Sequence, residues 1–270
     1  MATTLDVAIA TYMPAGIERV AAMNLPQLDG VRYIVSWQEH QNAAIPKGIA
    51  ERGDIEVYRF DKRGLSLNRN NAIAKCKGDI ILLADDDVEY TDNGLQCVIN
   101  TFESNPRVDV ATFKSTDNPR RSYPKVITPL GRKLPKGYYV CSIEIALRRD
   151  TAGDLRCHPE LGLGAPKLQS GEDELLLHTA IKRGLHCTFF PITICNHPAQ
   201  STGSRPSAPA LRGAGCIIAM LYPWTCAFRL PLKAWRVSRC SNISFMKSFI
   251  YLCQGAICAP EIRLRGKQYL

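Results

Sequence analysis

Three adjacent carboxylates, Asp85, Asp86 and Asp87, follow the apolar run of residues 80–84. Neighbouring carboxylates repel one another, and a fold that holds them together raises their pKa values unless a cation neutralises them. In an extended chain Asp85 and Asp87 project to the same side, where they could clamp a hard cation. Oxygen ligands suit Mg²⁺ or Mn²⁺, ions that proteins commonly share with substrate phosphates. The triplet therefore predicts a divalent-metal site, with a solvated acidic turn as the alternative.

Two further polar sets have the residue types of a functional site. Glu172 and Asp173 come just before a helix predicted over residues 175–183, where the helix dipole favours acids. Ser170 and Asp173 also have the spacing of a capping box, so taken alone this pair indicates helix capping. His197 follows a predicted strand in a polar turn, either as a hydrogen-bonded turn histidine or as a metal or phosphate contact.

The elements that must position these residues alternate along the chain. Helices are predicted over residues 15–23 and 92–103 and within the segment 64–74, where Ser66 can cap the helix. Strands are predicted over residues 5–12, 31–36, 55–60, 80–84, 108–113, 138–148 and 187–194. Such alternation predicts an α/β fold with a mostly parallel sheet and helices on both faces. Ligands of open α/β sheets bind at the carboxyl ends of the strands, which is where the acidic triplet lies.

One segment interrupts this alternation. Residues 114–137 are rich in Pro, Arg, Lys and Ser and have little apolar periodicity. A loop of this length inside a domain is usually functional or mobile. We therefore predict an acceptor-binding loop or lid, with an unstructured insertion as the alternative.

Charge and cysteine content limit the class of protein. The formal net charge is +9, and the excess lies entirely in the last quarter, where residues 205–270 hold ten Lys or Arg and one acid, Glu261. The eleven cysteines include no Cys-x-x-Cys pair, and the first residues lack a basic segment followed by a long apolar one. Both features indicate a cytoplasmic protein with free thiols.

The basic C-terminal quarter is predicted to be helical. The uncharged run between Arg212 and Arg229 is interrupted by Pro223 and is too short for a membrane span. Lys233, Arg236 and Arg239 fall on one side of a helix, as in helices that lie on an anionic membrane. The alternative is a set of helices that pack on the catalytic domain and keep their basic side in water. No aromatic–basic motif of the kind that binds nucleic acid accompanies the charge, so nucleic acid is not an expected partner.

Taken in order, five of these features resemble glycosyltransferase family 2, which has the GT-A fold. They are Tyr12 after the first strand, Gly64-x-Ser66-x-x-Arg69-Asn70, Asp85-Asp86-Asp87, Gly171-Glu172-Asp173 and the later His197. The resemblance covers about residues 5–204. It implies a GT-A, Rossmann-like domain over residues 1–204, followed by a basic amphipathic helical region over residues 205–270.

The resemblance also implies an activity. Family 2 enzymes transfer a sugar from a nucleotide-sugar, usually UDP-linked, with inversion at the anomeric carbon, here to a glycan or lipid-linked glycan acceptor of cell-surface polysaccharide type. Asp173 matches the catalytic base of the family, and Glu172 remains open as the alternative. A carboxylate is required because the acceptor hydroxyl must lose its proton as it attacks.

On the donor side, the same resemblance assigns the remaining residues. Thr11 and Tyr12 would contact the nucleoside, and Arg69 and Asp86 would help to hold the nucleotide. Asp85 and Asp87 match the Asp-x-Asp motif that binds Mn²⁺ or Mg²⁺, and His197 matches the histidine that completes the site in some GT-A enzymes. The chain departs from the family at Ser36-Trp37-Gln38-Glu39, where an Asp-Asp or Asp-Gly-Ser turn is common, which leaves the identity of the nucleotide open.

Two other functions are compatible with the sequence. A GT-A-like sugar nucleotidyltransferase would have a basic, Gly-rich loop after its first strand, but Met13-Pro14-Ala15-Gly16 stands there with no Lys or Arg before Arg19. A non-catalytic module would bind a membrane or another polyanion through its basic tail. The predicted location is the cytoplasm, with the inner face of the membrane as a peripheral site.

Overall fold

The computed structural model describes residues 2–116, 122–197 and 206–265. Its strands are β1 (Leu5–Tyr12), β2 (Val31–Gln38), β3 (Ile55–Phe60), β4 (Ile80–Asp85), β5 (Glu89–Tyr90), β6 (Val110–Thr116), β7 (Thr128–Leu130), β8 (Ile145–Arg148) and β9 (Cys187–Asn196). Its helices are α1 (Met13–Ala22), α2 (Lys47–Ala50), α3 (Leu65–Lys75), α4 (Asp92–Ser104), α5 (Arg149–Ala152), α6 (Glu172–Lys182), α7 (Ala208–Leu221), α8 (Cys226–Cys240) and α9 (Phe245–Arg265).

The described strands form one sheet in the order β3-β2-β1-β4-β8-β6-β9-β5, with β7 paired to β9. The pairings of β1 with β2 and β4, of β2 with β3 and of β6 with β9 are parallel. Strands β5, β7 and β8 run against the other six. The prediction of an α/β fold with a mostly parallel sheet is therefore confirmed.

The central strands are apolar because they are covered on both faces. Seven of the eight residues of β1 are buried, and in β4 all residues before Asp85 are buried. Full burial of a Val, Leu or Ile side chain contributes about 1.5–3 kcal/mol, so these strands supply much of the stability of the sheet. Their burial ends at the carboxyl end of the sheet, where polar side chains begin.

Buried Asp6 holds the opposite end of the sheet. Its carboxylate accepts two hydrogen bonds from Arg32 (3.0 and 2.8 Å) and one each from the backbone N–H of Lys77 (2.6 Å) and Gly78 (2.7 Å). These bonds join the start of β1 to β2 and to the turn before β4. A buried carboxylate is tolerated here because both of its oxygens are satisfied.

Two local predictions were wrong. Within residues 138–148 only β8 is a strand, because Ser142–Glu144 forms a 3-10 helix that turns the Glu144 carboxylate inward. There it accepts hydrogen bonds from the Ser115 hydroxyl (2.8 Å) and from Tyr123. Ser66 lies inside α3 rather than capping it, and its hydroxyl donates to the carbonyl of Leu161 (2.6 Å).

The predicted loop over residues 114–137 is partly regular. Residues 114–116 complete β6, and β7 pairs antiparallel with β9 at Thr128↔Phe189. Residues 117–121 lie outside the described part of the chain. A role of this segment in acceptor binding stays a prediction.

The described residues divide into two compact units. The first comprises residues 2–63, 67–156 and 179–197 and contains the sheet; the second comprises residues 64–66, 157–178 and 206–265. The predicted boundary at residues 204 and 205 lies outside the described residues, so that domain division stays a prediction. All eleven cysteines are free thiols, as expected.

The second unit is built on the crossing of α7 and α9. A Cβ atom at Gly215 would lie 2.0 Å from the carbonyl oxygen of Leu252, and one at Gly255 would lie 1.8 Å from that of Arg212. Glycine is therefore required where the two backbones touch. Among the described helices, none alone has the length and apolarity to span a membrane; α7 and the segment Pro223–Cys240 meet that criterion only as a pair bent by 114°.

Candidate active site

Parallel pairing brings the ends of β1 and β4 together. Ala10 is opposite Asp85, so the next residues along each strand, Thr11 and Asp86, lie side by side. The Thr11 hydroxyl donates to Asp86 Oδ2 (2.5 Å), and Arg19 of α1 donates to both oxygens of Asp86 through Nε (3.1 Å) and Nη2 (2.8 Å). Burial nevertheless raises the pKa of Asp86. This carboxylate thus anchors α1 to the sheet.

Gly16 allows this approach of α1. A Cβ atom at this position would lie 2.2 Å from Thr11 Oγ1 and 3.1 Å from Asp86 Oδ2. Any side chain here would separate Arg19 from Asp86. The Met13-Pro14-Ala15-Gly16 segment, which the sequence analysis used only to exclude a phosphate loop, is therefore the close-packed start of α1.

Helix α3 donates hydrogen bonds to the carboxyl ends of three neighbouring strands. The pairs are Asn71 Nδ2 with Ser36 Oγ of β2 (2.8 Å), Asn68 Nδ2 with the Thr11 carbonyl of β1 (2.8 Å), and Arg69 Nη2 with Asp85 of β4 (2.8 and 3.0 Å). Arg69 is buried and its partner Asp85 is half-buried. The helix therefore fixes the strand ends, and Arg69 neutralises one carboxylate of the triplet.

The third carboxylate, Asp87, lies next to His197. Strand β5 pairs antiparallel with the end of β9 at Glu89↔Asn196, which brings the residues just before β5 beside those just after β9. Asp87 Oδ1 is 3.4 Å from His197 Nε2, and this contact is the main reason why the pKa of Asp87 is lowered. At 3.4 Å the contact is longer than an ordinary hydrogen bond, and this buried oxygen has no closer hydrogen-bond partner.

A divalent cation fits this pair of residues. A carboxylate oxygen and an imidazole nitrogen are ligands that Mn²⁺ accepts, and the orphaned Asp87 Oδ1 would gain a partner. Within residues 2–116, 122–197 and 206–265, no group of three or more His, Cys, Asp or Glu side chains could hold a metal. The residues therefore fit an ion that takes its other ligands from a substrate rather than an all-protein cage.

The strand end beside this site exposes an aromatic side chain. Tyr12 is half-exposed, and its hydroxyl donates to Glu39 Oε2 (3.0 Å), the main reason why its pKa is raised. Behind it, buried Trp37 donates from Nε1 to the carbonyl of Met13 (2.8 Å), a residue in the left-handed region (φ 63°). A non-glycine residue in this region is strained, so the turn that exposes Tyr12 is held at a cost in conformational energy.

The remaining acidic pair, Glu172 and Asp173, lies in the second unit at the start of α6. Glu172 is buried, whereas Asp173 is partly exposed. The hydroxyl of Ser170 donates to the carbonyl of Ala210 (2.7 Å). The first turn of α6 also holds Glu174, whose pKa is raised by burial. Three acids at a helix N-terminus are stabilised by its dipole.

Sequence reasoning missed three residues of the first unit. Arg19 binds Asp86 bidentately, and Asn68 and Asn71 hold β1 and β2. A signal was present for the asparagines, because they flank Arg69 at helical spacing on a helix that carries few apolar residues. The pairing of Arg19 with Asp86 connects two separate segments, and no local pattern indicates it.

Together, the sheet order and the polar carboxyl ends of β1 and β4 define a nucleotide-binding type of α/β domain. The model of the family Glycosyl transferase family 2 matches residues 37–153, which include Arg69 and the whole acidic triplet. This segment matches glycosyltransferase family 2, and glycosyltransferase is the enzyme class that the match supports. The resemblance and the enzyme class inferred from the sequence are both confirmed. No curated protein matches the sequence.

Solved structures of glycosyltransferases share the fold. TarS residues 1–349 of S. aureus, crystallised with UDP-GlcNAc, is 14% identical with a TM-score of 0.60, over 99% of this chain and 88% of that chain. The mannosyltransferase PcManGT of Pyrobaculum calidifontis, in complex with GDP-Man and Mn²⁺, is 13% identical with a TM-score of 0.56, over 99% and 76%. The alignment spans only 44% of the longer TarS chain. The predicted GT-A fold is thus confirmed.

Proposed function

We propose that the protein is an inverting, metal-dependent glycosyltransferase that moves a sugar from a nucleotide-sugar to a glycan or lipid-linked glycan acceptor. The observation that carries this proposal is the Asp87–His197 pair, at 3.4 Å, at the carboxyl end of the sheet in a family 2 domain. The similar structures were solved with UDP-GlcNAc and with GDP-Man and Mn²⁺, which supports a nucleoside-diphosphate sugar as donor. A UDP-linked sugar remains the first donor to test.

In this proposal the first unit holds the leaving diphosphate. Asp87 and His197 would hold Mn²⁺ or Mg²⁺, which when bound supplies Lewis-acid stabilisation of the charge that develops on the diphosphate. Arg69 pairs with Asp85 at the same strand end, and Arg19 pairs with Asp86. Tyr12 offers an exposed ring against which a nucleoside base could stack.

A carboxylate would act as the general base. In a single displacement, one carboxylate accepts the proton of the acceptor hydroxyl while that oxygen attacks the anomeric carbon, and the configuration inverts. Asp173 fits this role better than Glu172, because its side chain is partly exposed and can reach a substrate. Glu172 is buried at the same helix start and would be a positioning residue.

The first test measures release of nucleoside diphosphate from a panel of UDP- and GDP-sugars with and without Mn²⁺. We expect metal-stimulated turnover of one donor, lowered at least about 100-fold in Asp87→Asn and His197→Asn, because charge stabilisation of the leaving group is lost. Asp150→Asn, an exposed carboxylate of the short helix α5, is the matched control and should keep full activity.

A second arm of the same test addresses base and stereochemistry. Asp173→Asn should abolish turnover yet bind the donor with unchanged affinity, and NMR of the fresh product from an α-linked donor should show the β anomer. If no nucleotide binds in a metal-dependent way, the proposed donor site is wrong. Retention of the α anomer would instead refute the single displacement.

A further inference from the structure

One helix of the second unit has apolar side chains on two opposite sides. Leu230, Ala234 and Val237 of α8 are buried in a cluster with residues of α7 and α9. On the other side, at positions i, i+4 and i+7, Phe228, Leu232 and Trp235 are 79%, 47% and 54% exposed, and Trp224 just before the helix is 95% exposed. A helix with water on its outer side carries polar residues there, so this side is built for another environment.

Cations surround these apolar side chains. Arg229, Lys233, Arg236 and Arg239 are all exposed. At 100° per residue, Arg236 and Arg239 fall next to the exposed apolar side chains, and Arg229 and Lys233 lie between these and the buried side. Glu261 is the only acid in residues 205–270 of the sequence. Of the four cations, Lys233 is close enough to Glu174 of α6 to interact with its carboxylate. We call these four cations, with Trp224, Phe228, Leu232 and Trp235, the aromatic–basic surface.

The apolar part of this surface continues onto α9. Pro223, next to Trp224, and Cys226 line an open apolar groove of about 380 Å³ together with Ile257 and Pro260 of α9. Ile257 is itself highly exposed. Arg263 also lines the groove, and its guanidinium donates to the carbonyl of Met220 (2.5 Å). Exposed apolar groups from two helices thus meet around one groove with a cation on its wall.

We propose that the aromatic–basic surface binds the interface of an anionic lipid bilayer, with α8 lying in the membrane plane. Tryptophan and phenylalanine favour the boundary between head groups and acyl chains, and Lys and Arg beside them attract anionic lipids. A second copy of this chain would be a poor partner for this surface, because the four cations of each copy would face one another and repel. This inference concerns membrane recruitment and does not depend on the proposed donor chemistry.

The protein provides its own fluorescent probes for the test. Of its three tryptophans, Trp37 is fully buried in the sheet unit, whereas Trp224 and Trp235 both belong to the aromatic–basic surface. Vesicles of phosphatidylcholine with 30% phosphatidylglycerol should shift the emission to shorter wavelength and carry the protein upward in flotation. Vesicles of phosphatidylcholine alone should bind at least about tenfold more weakly, and 0.5 M NaCl should weaken binding to the anionic vesicles.

Paired variants separate the two parts of the surface. Phe228→Ser with Trp235→Ser should lower partition into anionic vesicles by about tenfold or more, since each exposed ring loses its membrane contact. Arg236→Glu with Arg239→Glu should lower it by at least about tenfold and remove the preference for anionic lipid. The controls are Val126→Ser with Ile127→Ser and Arg107→Glu with Lys182→Glu, exposed residues of the sheet unit.

Three outcomes would overturn the proposal. The first is no flotation with anionic vesicles, and the second is flotation that the control pairs weaken as much as the surface pairs do. The third is a dimer in light scattering that the Phe228 and Trp235 substitutions dissociate without any vesicle binding by the wild type. That result would assign the surface to a second copy. Unchanged circular dichroism of every variant establishes that the effects do not arise from unfolding.

Discussion

At the scale of single residues, the three carboxylates of the triplet are chemically different although they are adjacent. Asp85 is paired with buried Arg69, Asp86 with Arg19 and Thr11, and Asp87 with His197. A different partner therefore relieves the repulsion at each of the three neighbouring acids. Asp87 is the member of the triplet that has a buried oxygen without a hydrogen bond.

The pairing of Arg19 with Asp86 gives a prediction at this scale. Arg19→Ala should lower the free energy of unfolding by about 1–3 kcal/mol, because a mostly buried carboxylate loses the two hydrogen bonds from Arg19. Arg19→Lys should recover only part of the loss, since a lysine cannot make the bidentate contact. Urea unfolding measures both. Arg107→Ala is the control, and a loss no larger than that of Arg107→Ala would contradict this role.

At the scale of elements, helix contacts determine the internal arrangement of each unit. Helix α3 bonds to the ends of β2, β1 and β4, and so aligns the strand ends from which the proposed donor site is built. In the second unit α7 and α9 approach closely at Gly215 and Gly255. A Cβ atom added at either position would clash with a backbone carbonyl of the other helix. Helix positions rather than loops therefore determine both arrangements.

The helix crossing predicts the effect of adding side chains. Gly255→Val should lower the free energy of unfolding by about 2 kcal/mol or more, because the clash is with backbone that cannot move aside. Gly53→Val makes the same change where no atom lies within 4 Å of the added Cβ and should have a much smaller effect. Urea unfolding and amide exchange of α9 provide the measurement. Equal effects of the two variants would refute a close crossing.

At the scale of the whole molecule, the two described units differ in their buried ionisable groups. Burial lowers the pKa of His158 and His178, both in the second unit. His158 Nδ1 accepts from the N–H of Glu160 (3.2 Å), and Nε2 lies 3.2 Å from the carbonyl of Ile262 in α9. This arrangement suits the neutral ring, because protonation of Nδ1 would break the bond with Glu160.

These histidines predict an acid-sensitive second unit. Because their pKa values in the folded state lie below the unfolded value of about 6.5, the folded state binds fewer protons, and stability falls as the pH drops below about 6.5. The loss is at most about 1.4 kcal/mol per pH unit for each histidine. As the pH falls from 7.5 to 5.5, the amide protection factors in the C-terminal turns of α9 should decrease.

A variant of His158 tests the cause. His158→Gln keeps a polar side chain that does not titrate. The amide protection factors of α9 should therefore depend less on pH in this variant than in the wild type. His186→Gln, a highly exposed histidine of the first unit, should leave the pH dependence unchanged. If the amide protection factors of α9 are independent of pH between 7.5 and 5.5 in the wild type, buried neutral histidines do not govern the stability of this unit.

Local sequence signals were sufficient for most elements and insufficient where a buried polar contact reshaped the chain. Continuous apolar runs predicted β1 and β4 because strands covered on both faces need them. The apolar alternation before β8 also predicted a strand, but there the chain turns inward so that Glu144 can meet Ser115 and Tyr123. Hydrogen bonds to this buried carboxylate outweighed strand propensity, and the residues that donate them are distant in sequence.

The sequence by itself determined the order of strands and helices, the acidic triplet at a strand end, the family and the basic C-terminal quarter. These follow from apolar periodicity, motif order and charge, which are local properties of the chain. Tertiary structure decided which partner each carboxylate receives and which side chains of α8 are exposed. His197 reaches Asp87 only because β9 lies between β6 and β5 in the sheet. Such pairings depend on long-range strand order, which local patterns do not encode.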